Sequence, residues 1–210
     1  MRLYLASYLF GDRPDLFAGM VRGNRRGWVI ANALDGLDED RRRRDTQSQV
    51  AELQRLELDA SDFDLREHGP LDIAEQFGAP DFVWVRGGNV FTLRAAMARS
   101  GADEVIMRGL RADEFVYAGY SAGACVLSPD LAGLEAVDPV DDCTAVYDEV
   151  RFDGLGVLDR PLLPHLDSPD HPESEALGAI ARQYREEHRV YWALRDGQAL
   201  LVDGGEPAIV

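Results

Sequence analysis

The sequence predicts an α/β protein whose mainly parallel sheet is flanked by helices. Two observations carry this expectation. Short β-forming apolar runs alternate with helix-compatible segments, and two of those runs end in glycine-rich turns that open helices. At 210 residues and 46% hydrophobic content the chain can bury one substantial core, so a single domain over residues 1–210 is the simplest organisation.

The elements follow in order. Leu3–Tyr8 reads as a first buried strand rather than a signal peptide, because no small-residue cleavage site follows it. Asp12-Arg13-Pro14-Asp15 starts a helix. Gly27–Ala33 is the next strand, and the charge run Asp35–Asp45 reads as a solvated loop and helix start. Asp45–Leu58 has helical rhythm, with Val50, Leu53 and Leu56 on one face. Phe82–Val85 and Phe115–Ala118 are strands separated by a helix over Phe91–Ala102. Pro129–Asp153 is turn-rich and predicts hairpins or loops. A helix is expected over Glu173–Glu187, and Val190–Leu194 with Ala199–Val202 reads as a hairpin or two adjacent strands.

Composition excludes several classes. A net charge of −16 argues against nucleic acid and anionic membrane as partners. No apolar run is long enough for a membrane helix, and a cytoplasmic location is expected. The basic residues are all Arg, which rules out a phosphate-binding P-loop lysine, a Schiff base and a Ser-Lys dyad. Cys125 and Cys143 form no C-x-x-C pair, so a zinc site or thioredoxin-like motif is unsupported; no metal and no cofactor is expected.

Chemistry concentrates in Phe115-Val116-Tyr117-Ala118-Gly119-Tyr120-Ser121-Ala122-Gly123-Ala124. A β-run enters Gly119 and a helix leaves Ala122, as in a nucleophile elbow. Small residues around Ser121 let the backbone turn sharply and present its hydroxyl at the sheet edge. The alternative is a glycine turn that packs or cradles phosphate. A second strand-to-helix turn, Arg86-Gly87-Gly88-Asn89, would lie beside Ser121 if the two strands are neighbours, and could aim an N–H at a substrate carbonyl.

A serine nucleophile needs a base, and the chain offers four histidines. His188 ends a charged helix and His68 sits in an exposed loop. His165 closes the apolar run Leu162-Leu163-Pro164, which favours it as a held base, with His171 in reserve. The orienting carboxylate cannot be picked from 38 acids by composition.

The paired turns resemble those of peptidase E (aspartyl dipeptidase) and its cyanophycinase relatives, whose fold is similar to class I glutamine amidotransferases. The similarity runs from about Phe82 onward, with Pro164-His165 and Asp196-Gly197 matching further positions of the family. It implies Ser121 as nucleophile, His165 as base, Asp196 as the acid where the family has Glu, and Gly88 and Ala122 as oxyanion-hole donors. Other carboxylates open to the third role are Asp167, Asp170, Glu135 and Asp138.

The resemblance implies a serine peptidase acting on small peptides, with dipeptides bearing N-terminal Asp as the leading substrates and a homodimer as a possible assembly. Asn89 and Arg182 are the expected substrate contacts, because the family's gripping Arg has no counterpart in Asp167–Glu175; Arg86 is the other available cation. Two alternatives stand beside this. One is a cyanophycinase-like hydrolase of β-aspartyl linkages. The other is a non-catalytic amidotransferase-like binding domain, which would not label with a fluorophosphonate.

Overall fold

The computed structural model describes residues 1–210 and contains one seven-stranded sheet. In chain order the first half holds β1 (Arg2–Ala6), α1 (Pro14–Met20), β2 (Arg26–Ile30), α2 (Glu39–Arg55), β3 (Asp59–Asp62), α3 (Ile73–Phe77), β4 (Phe82–Val85), α4 (Val90–Ser100) and α5 (Ala102–Arg111). The second half holds β5 (Val116–Tyr120), α6 (Ala122–Cys125), α7 (Val140–Thr144), β6 (Leu162–Leu163), α8 (Ser174–Glu186), β7 (Trp192–Ala193), β8 (Ala199–Asp203) and β9 (Ala208–Ile209). The sheet order is β3-β2-β4-β5-β1-β8-β9. The first five of these strands are mutually parallel, and β8 and β9 close one side antiparallel.

The central strands are apolar on both faces because both faces are covered. Leu3, Leu5, Val83, Val85 and Tyr117 feed one core, and Tyr4, Ala6, Phe82, Trp84, Val116 and Ala118 feed the other. Alternation of side chains along each strand divides them this way. The register Val83↔Tyr117 and Val85↔Gly119 puts β4 beside β5, so the two glycine turns leave the same edge. No helix is long and apolar enough to cross a membrane.

Three expectations need correction. The segments near Val190 and Ala199 are not a hairpin: β7 pairs with β6 in a small parallel sheet, while β8 runs antiparallel to β1. Two short strands on either side of one turn were thus drawn to different partners. The charge run is not wholly solvated either. It starts α2 at Glu39, capped by the Asp38 side chain, and buries Arg42 against Asp35 at 3.0 Å, a carboxylate with 0% exposure. Asn32 and the Tyr147 hydroxyl complete that buried network, each donating to Asp35. Finally, of the hairpins or loops expected over Pro129–Asp153 only loops form, interrupted by α7 and a short 3₁₀ turn at Leu134–Ala136, with a single bridge, Asp130 to Asp153.

Candidate active site

Ser121 stands at the junction of β5 and α6 with φ 48° and ψ −119°, a conformation that side-chain-bearing residues rarely adopt. The flanking glycines explain how the turn closes. A Cβ on Gly119 would meet the Val85 carbonyl oxygen at 2.5 Å, and one on Gly123 would overlap the same oxygen. The Ser121 amide is tied back to the Ser7 carbonyl at 3.2 Å. Ala122 opens α6, where the first N–H groups have no acceptor within the helix.

The neighbouring turn is as tightly fixed. A Cβ on Gly87 would come within 3.0 Å of the Ser121 Cβ, so the two motifs lie side by side as expected. Gly88 has φ +141°, and its missing Cβ makes room for the Ala33 carbonyl. That carbonyl accepts the Asn89 amide at 3.0 Å. The loop carrying Ala33 is held in turn by the Asp35–Arg42 network.

His165 is 1% exposed and follows β6. Its Nδ1 lies 2.6 Å from Asp196 Oδ1. A carboxylate can only accept, so Nδ1 carries the proton and Nε2 is left as the basic nitrogen. Burial holds the imidazole below its ordinary value, partly offset by Asp196. Asp196 comes from the turn before β8, and Ser168 Oγ accepts its amide at 2.8 Å. Of the other candidate acids, exposed Asp167 pairs with Arg195, and Glu135 accepts the Gly133 amide.

Sequence reasoning missed Ser7. Its hydroxyl donates to Asp196 at 2.8 Å and accepts the His165 amide at 2.8 Å. The signal available was position: Ser7 follows the carboxyl end of a parallel strand, where α/β sheets gather their ligand contacts.

Ser121 and His165 line one cleft of about 210 Å³ with Tyr8, Arg86, Gly88, Asp138, His171 and Glu173 among its walls. His171 stacks face to face on His165, with ring centres 3.5 Å apart and planes 2° apart. The Tyr8 ring meets both edge-on. Asp138 accepts the Val90 amide at 2.9 Å and is pushed up to about 7, chiefly by burial and further by Glu173. Glu173 is raised by burial too.

The two expected substrate contacts fall elsewhere. Asn89 caps α4, accepting from the amides of Phe91 and Thr92, and its amide donates to the Pro139 carbonyl. It faces the adjoining cavity, and Arg182 is exposed on α8 outside the cleft walls. Arg86 does line the cleft, where it donates to the Gly87 carbonyl at 2.6 Å. His68 is half-buried, stacked on Phe63 rather than in an open loop, and His188 is exposed after α8. Cys125 is buried beneath the elbow and donates weakly to the Leu162 carbonyl.

Comparison with known proteins adds to this geometry. The model of peptidase family S51 matches residues 43–210. An uncharacterized peptidase of Listeria monocytogenes is 28% identical over 154 residues, covering 73% of this chain and 72% of that protein. Peptidase E of Streptomyces coelicolor is 32% identical over 129 residues, 59% of this chain and 49% of its own length. Among solved structures, a Listeria monocytogenes EGD-e protein provisionally described as a peptidase E aligns with TM-score 0.80 at 24% identity, over 100% of this chain and 97% of that one. A peptidase from an acI-B1 Actinobacterium aligns with TM-score 0.73 at 15% identity, over 100% and 86%. At those identities the two structures speak to fold alone.

Proposed function

Because the chain belongs to peptidase family S51 and is a serine peptidase of the peptidase E type, we propose that it releases N-terminal residues from small peptides through Ser121, His165 and Asp196. The observation that carries this reading is the 2.6 Å contact between Asp196 and His165 Nδ1, in the cleft where Ser121 sits on its elbow.

Ser121 Oγ attacks the scissile carbonyl while His165 Nε2 takes its proton. Asp196 holds the ring in the required tautomer and stabilises the imidazolium. The N–H groups of Gly88 and Ala122 receive the oxyanion. His165 then returns the proton to the leaving amine, and a water molecule repeats the sequence on the acyl-enzyme to free Ser121.

Dipeptides with N-terminal Asp remain the leading substrates. Arg86 replaces Arg182 as the favoured partner for the Asp side chain, since it lines the cleft; a bidentate grip on a carboxylate requires its guanidinium to leave the Gly87 carbonyl and Asp45. A broader N-terminal preference is the second reading. Asp138 and Glu173 make the same cleft acidic, which suits a substrate's free ammonium group whatever its side chain.

Hydrolysis of Asp-Leu, Asn-Leu, Ala-Leu, Arg-Leu and β-Asp-Leu, with Ser121→Ala as control, tests both readings. Asp-Leu should lead, and Arg86→Ala should remove that lead. Faster cleavage of β-Asp-Leu would favour the cyanophycinase-like alternative. A chain that cleaves none of the peptides and takes no fluorophosphonate at Ser121 would be a binding domain.

A further inference from the structure

Taking Gly88 as an oxyanion donor, as the proposed mechanism does, we propose that the Tyr147 hydroxyl and the Asp35 carboxylate are positioning groups for catalysis. Their hydrogen bond locks together the two loops that aim the Gly88 N–H.

The turn carrying Gly88 is gripped from two sides. No group of the protein accepts the Gly88 amide, which leaves it to a substrate oxygen. Its direction is set by its neighbours. On one side is the loop after β2. There the Ala33 carbonyl oxygen accepts the Asn89 amide at 3.0 Å and fills the space of a Cβ on Gly88, which would lie 2.6 Å from it. On the other side is the loop before α7. There the Asn89 side chain donates to the Pro139 carbonyl at 2.8 Å, and Asp138 accepts the Val90 amide at 2.9 Å. A peptide plane held at both flanks has little room to rotate. Catalysis needs that rigidity, because an oxyanion donor must lie about 2.7–3.1 Å from where the charge develops.

The two sides are joined behind the turn. Tyr147, just past α7, donates its hydroxyl to Asp35 Oδ2 at 2.6 Å, across 112 residues of sequence. Asp35 ends the short turn Asn32–Leu34, which contains Ala33. Its carboxylate also accepts from Asn32 at 2.8 Å and from Arg42 at 3.0 Å. Donors from the turn itself, from α2 and from beyond α7 thus meet on one buried carboxylate. Neither Asp35 nor Tyr147 lines the cleft, so the pair acts on the reaction only through the backbone it holds. Without the Tyr147 hydroxyl, Asp35 is a buried acceptor short of a donor, and the turn that carries it is free to shift. The Ala33 carbonyl moves with that turn, and the Gly88 plane follows. A displacement of about 1 Å at a catalytic group can cost on the order of 100-fold in rate.

The test compares Tyr147→Phe with the wild-type chain, and Tyr184→Phe is the control. Tyr184 also gives its hydroxyl to a protein oxygen at 2.6 Å, the Ala132 carbonyl, but from α8 and outside the cleft walls. Three quantities are read: kcat and KM for a cleaved dipeptide across pH, the rate of fluorophosphonate labelling at Ser121, and hydrogen exchange of the Asn89 and Val90 amides by NMR. In Tyr147→Phe we expect kcat to fall roughly 10- to 100-fold with KM little changed, the mark of an interaction made only in the transition state. Labelling should slow by a similar factor, and the acid limb set by His165 should stay in place. The two amides should exchange about tenfold faster or more, while the β5 amides Tyr117 and Ala118 keep their rates. Tyr184→Phe should lower Tm comparably and leave kcat unchanged. Arg42→Lys keeps the charge but loses the Nε donor to Asp35, and it serves in the same way should Tyr147→Phe fail to fold. Unchanged exchange at Asn89 and Val90, or a loss of kcat no greater than in Tyr184→Phe, would overturn the clamp. So would a loss of kcat with a shifted acid limb, which would place the effect at His165. Exchange needs no turnover, so it judges the clamp by itself, and a wild-type chain that neither cleaves nor labels would count against the peptidase reading instead.

Discussion

The Ser7 hydroxyl donates to Asp196 at 2.8 Å while it accepts the amide of His165, so one small side chain fixes both the proposed acid and the backbone of the proposed base. It follows β1, and Asp196 precedes β8, the strand paired with β1. Pairing of these two strands therefore sets the separation of Ser7 and Asp196, and the Ser7 hydroxyl in turn holds the His165 amide.

Removing that hydroxyl leaves a buried amide without its acceptor, a loss of about 1–3 kcal/mol. Ser7→Ala should lower turnover by roughly 10- to 100-fold on that scale. Dipeptide kinetics beside thermal melts would check it. Unchanged kcat with a lowered Tm would mean that Ser7 supports only the fold.

Loss of the reacting groups should be far more severe. Ser121→Ala and His165→Ala should each remove several orders of magnitude of turnover with Tm kept within a few degrees, and Asp196→Asn should cost about 10⁴ by favouring the wrong tautomer. If His171→Ala were the lethal change and His165→Ala mild, the base would be misassigned.

Much of this was open to reading from the sequence, for physical reasons. Phe82–Val85 and Val116–Tyr120 are buried on both faces, so their apolar runs stand out, and both glycine turns follow them directly. The edge strand Asp59–Asp62 buries only Ala60, and its polar sequence shows no strand signal. Ser7 carries only the weak signal of its place after β1, because the partners that define its role lie 158 and 189 residues away. Arg42 looked like any member of a charged run until Asp35 folded against it. Asn89 was placed beside the right motif, yet capping α4 consumes its side chain.

The pH dependence of stability should expose Asp138. Its carboxyl is raised in the fold from 3.8 to about 7, so the folded chain holds more protons than the unfolded chain between those values. Stability contributed by the protonated form is therefore full below pH 3.8 and is lost as pH rises through about 7. Asp138→Asn keeps an acceptor for the Val90 amide and carries no charge. It should raise the unfolding free energy at pH 8 by a few kcal/mol at most, read as a higher Tm, and change it little at pH 4. Equal effects at both pH values would refute buried-charge destabilisation.

His165 works in the opposite direction. Its lowered pKa means that the folded chain holds fewer protons than the unfolded one below the ordinary histidine value. Its contribution is present above that value and is lost as pH falls toward the folded pKa. The acid limb of kcat/KM should lie below pH 6.5. His171→Ala removes a neighbouring positive charge and some of the burial, so it should move that limb upward. A limb that stays put would dissociate the stacked ring from the base's titration.

Gly123→Ala tests the packing of the elbow. The new methyl would strike the Val85 carbonyl, a backbone atom held by β4 and unable to swing aside. A loss of about 1–3 kcal/mol of stability is expected, with activity falling further as Ser121 is displaced. Wild-type melting and kinetics would show that the elbow has slack.

The backbone at Ser121 pulls survival and catalysis apart. A φ of 48° with ψ −119° costs a residue with a Cβ about 1–3 kcal/mol, whereas glycine's extra freedom when unfolded costs only about 0.5–1 kcal/mol. Ser121→Gly should therefore leave an inert protein that melts no lower than the parent, and by this arithmetic somewhat higher. A lineage selected only for persistence would drift to glycine at position 121, so a serine kept there marks continuing selection for turnover.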